Sequence, residues 1–556
     1  MAIDLNPNPP PATATRRPPR LLAHVAALAL LLMALLPLMS PRGAFSSDDG
    51  AYALQVKALQ NGDWRYDYKA APLDPSGDAF PIFNVGRNGP DFFPYTQHPA
   101  FPRLVQAAVA AVGETIGLHL WQLLGTIGVA VAAWLIAGEI DPRLRRSAFW
   151  LAAAGPALAN GYLLWAHTLS AAVAGLTLAA AVRIVRRGPN VARAAAVAAG
   201  LASGVLLRSE GLLFAVAVAL GLCLWSKRAS LLIVAAPALA AAFAERAWVH
   251  RITGGAYDSL QARSTSGKGY LQGRISGAWH DLLQGPTLAL VAMAVLLGIG
   301  LMALRRWDRA SPAALTIAAV AAATLTVAQF AGDPSTPVTG LFAACPLLAL
   351  GVAVVPWRRV DKPTALLGVT AALYAAAVIA TEYPIGGGLE WGGRFFAPLL
   401  APLAVLAVVG LDRRLPAADD AQAAAAISAR RPLTLLLAGL VAVGAVTGLL
   451  TTAHLRNDHV ETTAAVLRHP AQVTVTTVPA LPNVSWSADD RITWMWASPA
   501  GLPGLLASLH AQGVATVTLV ADIGTPAAEF GGYAAAGESR EPALARLGLT
   551  VYSLRQ

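Results

Sequence analysis

The chain has 556 residues, 56% of them hydrophobic and 13% charged, with a mean hydropathy of +0.54. That is more apolar surface than one soluble core can bury, which excludes an ordinary soluble domain. The net charge of +10 and pI near 9.9 do not mark a nucleic-acid binder, because the basic residues recur in short clusters between apolar runs instead of forming one face or tail. Cys223 and Cys345 both lie inside apolar runs, which excludes a disulfide framework or thiolate metal centre.

Residues 1–20 are Pro-rich and end in Arg16, Arg17 and Arg20, a disordered basic tail expected on the cytoplasmic side. Residues 21–40 form the first span. This stretch is longer than the ~7–15 residues of a signal-peptide core and lacks a small-residue cleavage site, so it reads as a signal anchor. Residues 41–100 form a long polar loop with Asp48, Asp49, Asp63, Asp67, Asp74, Asp78 and Asp91, and a loop of that length is usually functional. Within it, the spacing of Tyr52, Val56 and Leu59 predicts a short amphipathic helix over 48–62, and 99–112 reads as a second one at the membrane interface.

Further spans are expected near 118–139, 147–164, 166–183, 193–208, 211–226, 230–248, 286–304, 312–331, 338–356, 364–381, 395–411 and 433–452. With the first, that makes about thirteen. Arg143/Arg145/Arg146, Arg183/Arg186/Arg187, Lys227/Arg228, Arg305/Arg306/Arg309, Arg358/Arg359/Lys362 and Arg413/Arg414 fall in every second loop. One orientation satisfies all of them: a multi-pass protein of the inner (plasma) membrane, amino terminus cytoplasmic, the Asp48-Asp49 loop and carboxyl terminus exterior. Residues 453–556 change character. Strand-like runs at 473–478, 514–521 and 549–554 with a helix at 502–512 predict a small exterior α/β domain. The expected fold is therefore an α-helical polytopic membrane protein, residues 21–452, followed by that domain.

Asp48 and Asp49 stand where a span gives way to an aqueous loop. Two adjacent carboxylates there can hold a divalent cation (Mg or Mn), act as a general base, or simply cap a helix beginning at Gly50. Their company favours chemistry: a long first loop, interface helices, many spans and an exterior domain.

That constellation resembles the GT-C glycosyltransferases, integral membrane enzymes that use polyprenyl-phosphate sugars. The local likeness rests on Ser47-Asp48-Asp49-Gly50-Ala51-Tyr52 and Tyr95-Thr96-Gln97-His98-Pro99-Ala100-Phe101-Pro102. Two further segments match, Leu207-Arg208-Ser209-Glu210-Gly211 and Trp391-Gly392-Gly393-Arg394-Phe395-Phe396. The likeness covers about the first 410 residues and implies that Asp48 or Asp49 deprotonates the acceptor hydroxyl, with inversion at the sugar carbon. One departure is that many relatives carry a second acid between the third and fourth spans, where this chain has His167, either as its substitute or as a turn cap.

Other residues divide between structure and substrate. Arg208 and Glu210 form a span-orienting ion pair or contact substrate. Arg394 follows two glycines, and its planar guanidinium suits a lipid phosphate. Glu382 and Glu390 are acceptor contacts or solvated loop acids, and His98 is a further substrate-contact candidate. Residues 249–285, with Arg251, Arg263, Lys268 and Arg274, read as a mobile lid or as a plain connector. Asn483-Val484-Ser485 matches a glycosylation sequon, a triplet common by chance. The partners expected are a polyprenyl-phosphate sugar donor, an envelope glycan, lipid or protein acceptor, and the lipid bilayer, with no nucleic acid. The alternative from another class is a transporter or flippase of a lipid-linked precursor, disfavoured by nearly charge-free span interiors (Glu245 and Arg246 are exceptions) and the lack of a clear repeat.

Overall fold

The computed structural model describes residues 21–39, 41–83, 85–94, 98–255, 270–285, 320, 323–324, 327–328, 331, 336–381, 390–414, 423–525 and 530–556. Among these, seven helical stretches are long and apolar enough to cross a membrane: Leu21–Met39, Glu114–Ile140, His167–Arg187, Leu231–Thr253, Lys362–Thr381, Arg394–Arg413 and Leu435–Leu467. The first begins with α1 (Leu21–Leu35), whose Leu28 and Leu32, with Leu36 and Met39 beyond, bury a stripe at helical spacing against Trp134, Phe149, Leu158 and Tyr162. The Tyr162 hydroxyl donates to the Leu32 carbonyl at 2.9 Å.

The helical core is built on short side chains. In α4 (Glu114–Ile140) and α7 (His167–Arg187), Gly125 meets the backbone of Thr168 and Leu169, Gly128 meets Ala172, and Ala132 meets Gly175. Contacts that advance together along both chains mean parallel helices. In lipid, where apolar burial gives little preference between partners, this close approach of backbones supplies the packing.

Two expected spans are broken. The run at 147–164 divides into α5 (Arg145–Ala154) and the short α6 (Pro156–Asn160), because the ring of Pro156 forces Gly155 to an extended ψ of −159°. The run at 338–356 breaks likewise at Cys345 (φ −140°, ψ 77°) before Pro346, leaving Leu341–Ala344 and Pro346–Ala353. The expected pair at 193–208 and 211–226 form helices of 17 residues each, α8 (Val191–Leu207) and α9 (Glu210–Ser226). α10 (Ala236–Thr253) and α11 (Tyr270–Leu283) follow. The tail at 1–20, the span at 286–304 and most of that at 312–331 lie outside the described residues, as do Arg263, Lys268, Glu382 and Tyr95 to Gln97.

The first long loop contains α2 (Ser47–Gln60), the hairpin β1 (Val85–Asn88) and β2 (Asp91–Pro94), and α3 (Ala100–Val112). Here the sequence expectation needs correction. Helix α2 is not a half-exposed interfacial helix: every residue from Asp48 to Leu59 except Lys57 is buried. It is covered by α3 and β2 of the same loop and by a segment from the other end of the chain. Helix α12 (Ala423–Leu467) runs 45 residues without interruption into a five-stranded sheet of β3 (Val473–Thr476), β4 (Trp494–Trp496), β5 (Thr516–Asp522), β6 (Ala534–Ser539) and β7 (Leu549–Arg555), ordered β4-β3-β5-β7-β6. β3 pairs in parallel with β4 and β5, while β7 is antiparallel to β5 and β6.

Loop and sheet share one hydrophobic core containing Phe45, Tyr52, Phe101 and Trp165 together with Val475, Trp486 and Trp494. Polar contacts pin its edges, with Lys57 2.7 Å from Asp490, and the Tyr66 hydroxyl 2.5 Å from Asp489. Asn483 of the sequon-like triplet is fully buried. Its side chain accepts from the Phe83 amide at 2.8 Å and donates to the carbonyls of Phe83 and Ser47 at 3.0 and 3.1 Å, and its backbone fills the space beside Gly50. Replacing it with alanine strands buried groups on both segments, a cost of about 2–4 kcal/mol. Asn483→Ala is therefore expected to lower the unfolding midpoint followed by tryptophan fluorescence in detergent, while Asn457→Ala, at an exposed position on α12, leaves it in place.

Candidate active site

The first turn of α2 carries both acids, and the two have different surroundings. The helix begins one turn earlier than the capping alternative supposes, with Ser46 in the cap position making no side-chain bond. Asp49 reaches back to accept the Phe45 amide at 2.9 Å, a satisfied donor at the helix start. It is fully enclosed. Burial pushes its carboxyl up to about 7, opposed by the charge of Arg456 on α12 and by the Phe45 amide, and aided by the neighbouring Asp48.

Asp48 has a different partner. Its Oδ2 accepts from Arg394 Nη1 at 2.6 Å, joining residues 346 positions apart in the chain. Arg394 is held from several sides: its Nε lies 3.3 Å from Glu390 Oε2, and its Cζ is 5.0 Å from the Trp165 ring centre and 5.3 Å from that of Phe395. The preceding glycines have φ values of +72° and +67°, a region L side chains rarely adopt, and their amides donate to the carbonyls of Val338 and Thr339 at 2.9 and 2.6 Å. A Cβ on Gly393 would strike the Asp281 carbonyl. The turn thus sets a guanidinium against two carboxylates and two aromatic faces.

Around this centre stand most of the residues the sequence singles out. His167 starts α7 in buried surroundings, 5.4 Å from the Trp165 ring and 6.5 Å from Phe395, and neither ring nitrogen has a hydrogen-bond partner among the described residues. Arg208 and Glu210 form a buried bidentate pair, Nε to Oε2 at 3.0 Å and Nη2 to Oε1 at 2.5 Å, with the guanidinium 6.0 Å from the Phe395 ring. His98 is buried and its Nδ1 lies 2.9 Å from Glu245 of α10. Glu390 is fully buried, not a solvated loop acid, and burial together with nearby Asp281 drives its carboxyl well above the usual range, against the opposing charge of Arg394.

Four members of the site were not legible in advance: Trp165, Phe395 as an aromatic floor, and His280 with Asp281 near the end of α11. The signal for Trp165 was its place two residues before His167 at the same turn. Asp48 and Asp49 have separate partners, Arg394 for Asp48 and the Phe45 amide for Asp49.

No family model matches this sequence, and no curated protein sequence matches it. Solved structures do. The chain is similar to ArnT from Cupriavidus metallidurans in the apo state, with a TM-score of 0.52 and 13% identity over 96% of this chain and 97% of that one. Its fold is that of ArnT. ArnT bound to undecaprenyl phosphate gives a TM-score of 0.49 at 15% identity with the same coverage. The oligosaccharyltransferase of Archaeoglobus fulgidus in the apo form gives 0.47 at 12% identity, over 91% of this chain and 70% of that one. At 13% identity the likeness is one of fold, and it extends over nearly the whole chain.

The Asp49 environment has a measurable signature. A carboxyl raised from 3.8 to about 7 keeps its proton in the folded protein at pH values where the unfolded chain releases it. Its contribution is therefore a stability that falls as pH rises between about 4 and 7, level below and above that window. The unfolding midpoint of the wild type is expected to fall across that range more than that of Asp49→Asn, which mimics the protonated acid. Parallel curves for the two proteins would rule out the raised carboxyl.

Proposed function

We propose that this protein is a membrane glycosyltransferase that moves a sugar from a polyprenyl-phosphate donor to a cell-envelope acceptor on the outer face of the plasma membrane, with inversion, and with Asp48 as general base. The observation that carries the reading is the Asp48–Arg394 pair at 2.6 Å, enclosed by Trp165, Phe395 and Glu390. The GT-C fold and the ordered motifs support it. The outer-face placement rests on the alternation of basic loops along the sequence.

Arg394 accounts for both halves of the chemistry. A phosphodiester anion entering the site competes with Asp48 for the guanidinium and engages it bidentately. Asp48, released from its ion pair, takes the proton of an acceptor hydroxyl. The hydroxyl oxygen bonds to the sugar carbon as that carbon's bond to phosphate oxygen breaks, and the electron pair leaves on the polyprenyl phosphate, where Arg394 offsets the added charge. Arg208, across the Phe395 ring, is placed to hold a second phosphate oxygen once Glu210 yields. His98 and His167 belong to the substrate surroundings, and a buried His167 with no hydrogen-bond partner among the described residues is available to a sugar hydroxyl. Asp49 acts by holding the start of α2 in place. No step is assigned to a Mg or Mn ion shared by Asp48 and Asp49.

Purified protein in bilayer discs, supplied with radiolabelled polyprenyl-phosphate sugars and envelope extracts, tests this. Asp48→Asn is expected to abolish transfer, and Arg394→Lys to reduce it at least tenfold, since an ammonium loses the bidentate contact. Wild-type activity in both variants would overturn the mechanism. Inactive wild type with every donor, coupled to movement of labelled lipid between leaflets, would turn the reading to a flippase.

A further inference from the structure

Arg394 stands between two acids. Asp48 meets its Nη1 at 2.6 Å, and at another edge of the guanidinium Glu390 Oε2 lies 3.3 Å from Nε. Glu390 is in turn hydrogen-bonded to Asp281 of α11. His280 Nδ1 is 2.6 Å from Asp281 Oδ1 and 3.8 Å from Glu390 Oε1. The two Glu390 oxygens thus divide their company: Oε2 faces the guanidinium and Oε1 faces α11.

This arrangement fixes a proton. Two ionised carboxylates have no hydrogen to place between them, so a hydrogen bond from one to the other requires that one stay protonated. Both are out of water, Glu390 fully buried and Asp281 nearly so, and one oxygen of each lies with His280 Nδ1 inside 4.8 Å. A second negative charge there would be unscreened. Glu390 is the neutral member. Asp281 already accepts from His280 Nδ1, and burial together with Asp281 drives the Glu390 carboxyl well above the usual range, against the charge of Arg394.

The backbone keeps the two acids together. Thr339 Oγ1 donates to the His280 carbonyl at 3.1 Å, the Gly340 amide to the Gln284 carbonyl at 2.8 Å, and the Gly393 amide to the Thr339 carbonyl at 2.6 Å. The end of α11 and the glycine turn are therefore bonded to the same short stretch.

We propose that Glu390 and Asp281 share one proton, with Glu390 neutral, and that Glu390 is the positioning residue that holds Arg394 without neutralising it. A neutral carboxyl accepts from the guanidinium through Oε2 and donates through Oε1, which orients Arg394 and takes none of its charge. Of the two carboxyl groups set against Arg394, Asp48 then carries the charge, and a phosphodiester that displaces Asp48 meets a full positive charge. Ionised Glu390 would instead leave three anions around one cation. This role rests on the reading above in which Arg394 receives the donor phosphate; the shared proton does not. Among the described residues, the charged groups facing Glu390 are Asp281 and His280 of α11 and Arg394 of its own turn, with Asp48 of α2 beyond the guanidinium.

Full-length protein in detergent tests the two parts separately. Infrared difference spectra of wild type against Glu390→Gln at neutral pH are expected to contain a protonated-carboxyl band from Glu390, and its absence would overturn the shared proton. Calorimetry with farnesyl methyl phosphate, a phosphodiester of constant single charge, reads the positioning role from pH 5 to pH 9. Loss of the proton is expected to weaken binding about tenfold, the scale of one like charge added beside a partly enclosed anion. Glu390→Gln keeps a neutral acceptor for Arg394 and a donor for Asp281, so its affinity is expected to be the flattest with pH. Asp281→Asn removes the like charge that holds the proton on Glu390, so its affinity is expected to fall at lower pH than that of the wild type. A residue that only supports the fold would move neither profile, and the same profile in all three proteins would overturn the role. No binding by the wild type at any pH, with the infrared band present, would refute the phosphate reading of Arg394 and the role of Glu390 with it, while the shared proton stands.

Discussion

A single ion pair ties the two halves of this molecule into one site. Asp48 comes from the first turn of a helix in the first long loop, and Arg394 from a glycine turn 346 residues later. An exposed pair of this kind contributes little, but here both side chains are nearly enclosed, so each has surrendered water and neither can be left without the other cheaply. That mutual dependence makes the pair suitable for a site that opens only when a competing anion arrives. A phosphate repays the guanidinium for what it loses, whereas a neutral ligand cannot.

The enclosure is partly the work of the carboxyl-terminal segment. A short helix rich in polar residues, with two adjacent carboxylates, has no reason to be buried by its own composition. The segment around Asn483, together with α3 and β2, covers it, and Arg456 of α12 places a compensating charge near Asp49 while also contacting His119 and the Tyr162 carbonyl. Arg456 was not singled out by the sequence reading, yet it connects α12, α4 and the turn before α7. The carboxyl-terminal segment therefore also supplies the countercharge for Asp49, while Arg394 supplies that for Asp48.

Legibility followed the range of the interactions. Helices set by local hydrophobic runs were readable, among them α4, α7 and the helix at 362–381, because their signal is carried by consecutive residues. The breaks at Gly155-Pro156 and Cys345-Pro346 were also written locally and were passed over because the apolar run continues across them. The strand positions at 473–476, 516–522 and 549–555 lie where alternation and β-branching placed strands. What could not be read was which face of α2 is covered, since Tyr52, Val56 and Leu59 look the same whether the opposite side meets water or Asn483. The differing fates of Asp48 and Asp49 have the same origin: adjacent residues on a helix point about 100° apart, and their partners come from opposite ends of the chain. His280 and Asp281 lay in a segment that reads as a mobile lid or a plain connector, and the turn bearing Glu390 gives them company.

The unbroken 45-residue helix α12 has a geometric consequence. At 1.5 Å per residue it is roughly 67 Å long, more than twice a hydrocarbon core of about 30 Å. It therefore acts as a strut whose residue count sets both the height and the azimuth of the sheet relative to the bundle. One inserted residue between Leu435 and Arg456 would lift the sheet by about 1.5 Å and swing it by about 100°, carrying Asn483 away from Gly50 and Arg456 away from Asp49. Loops elsewhere in the chain can absorb changes in length, but this helix cannot, so the spacing along it is as much a part of the site as the acids themselves.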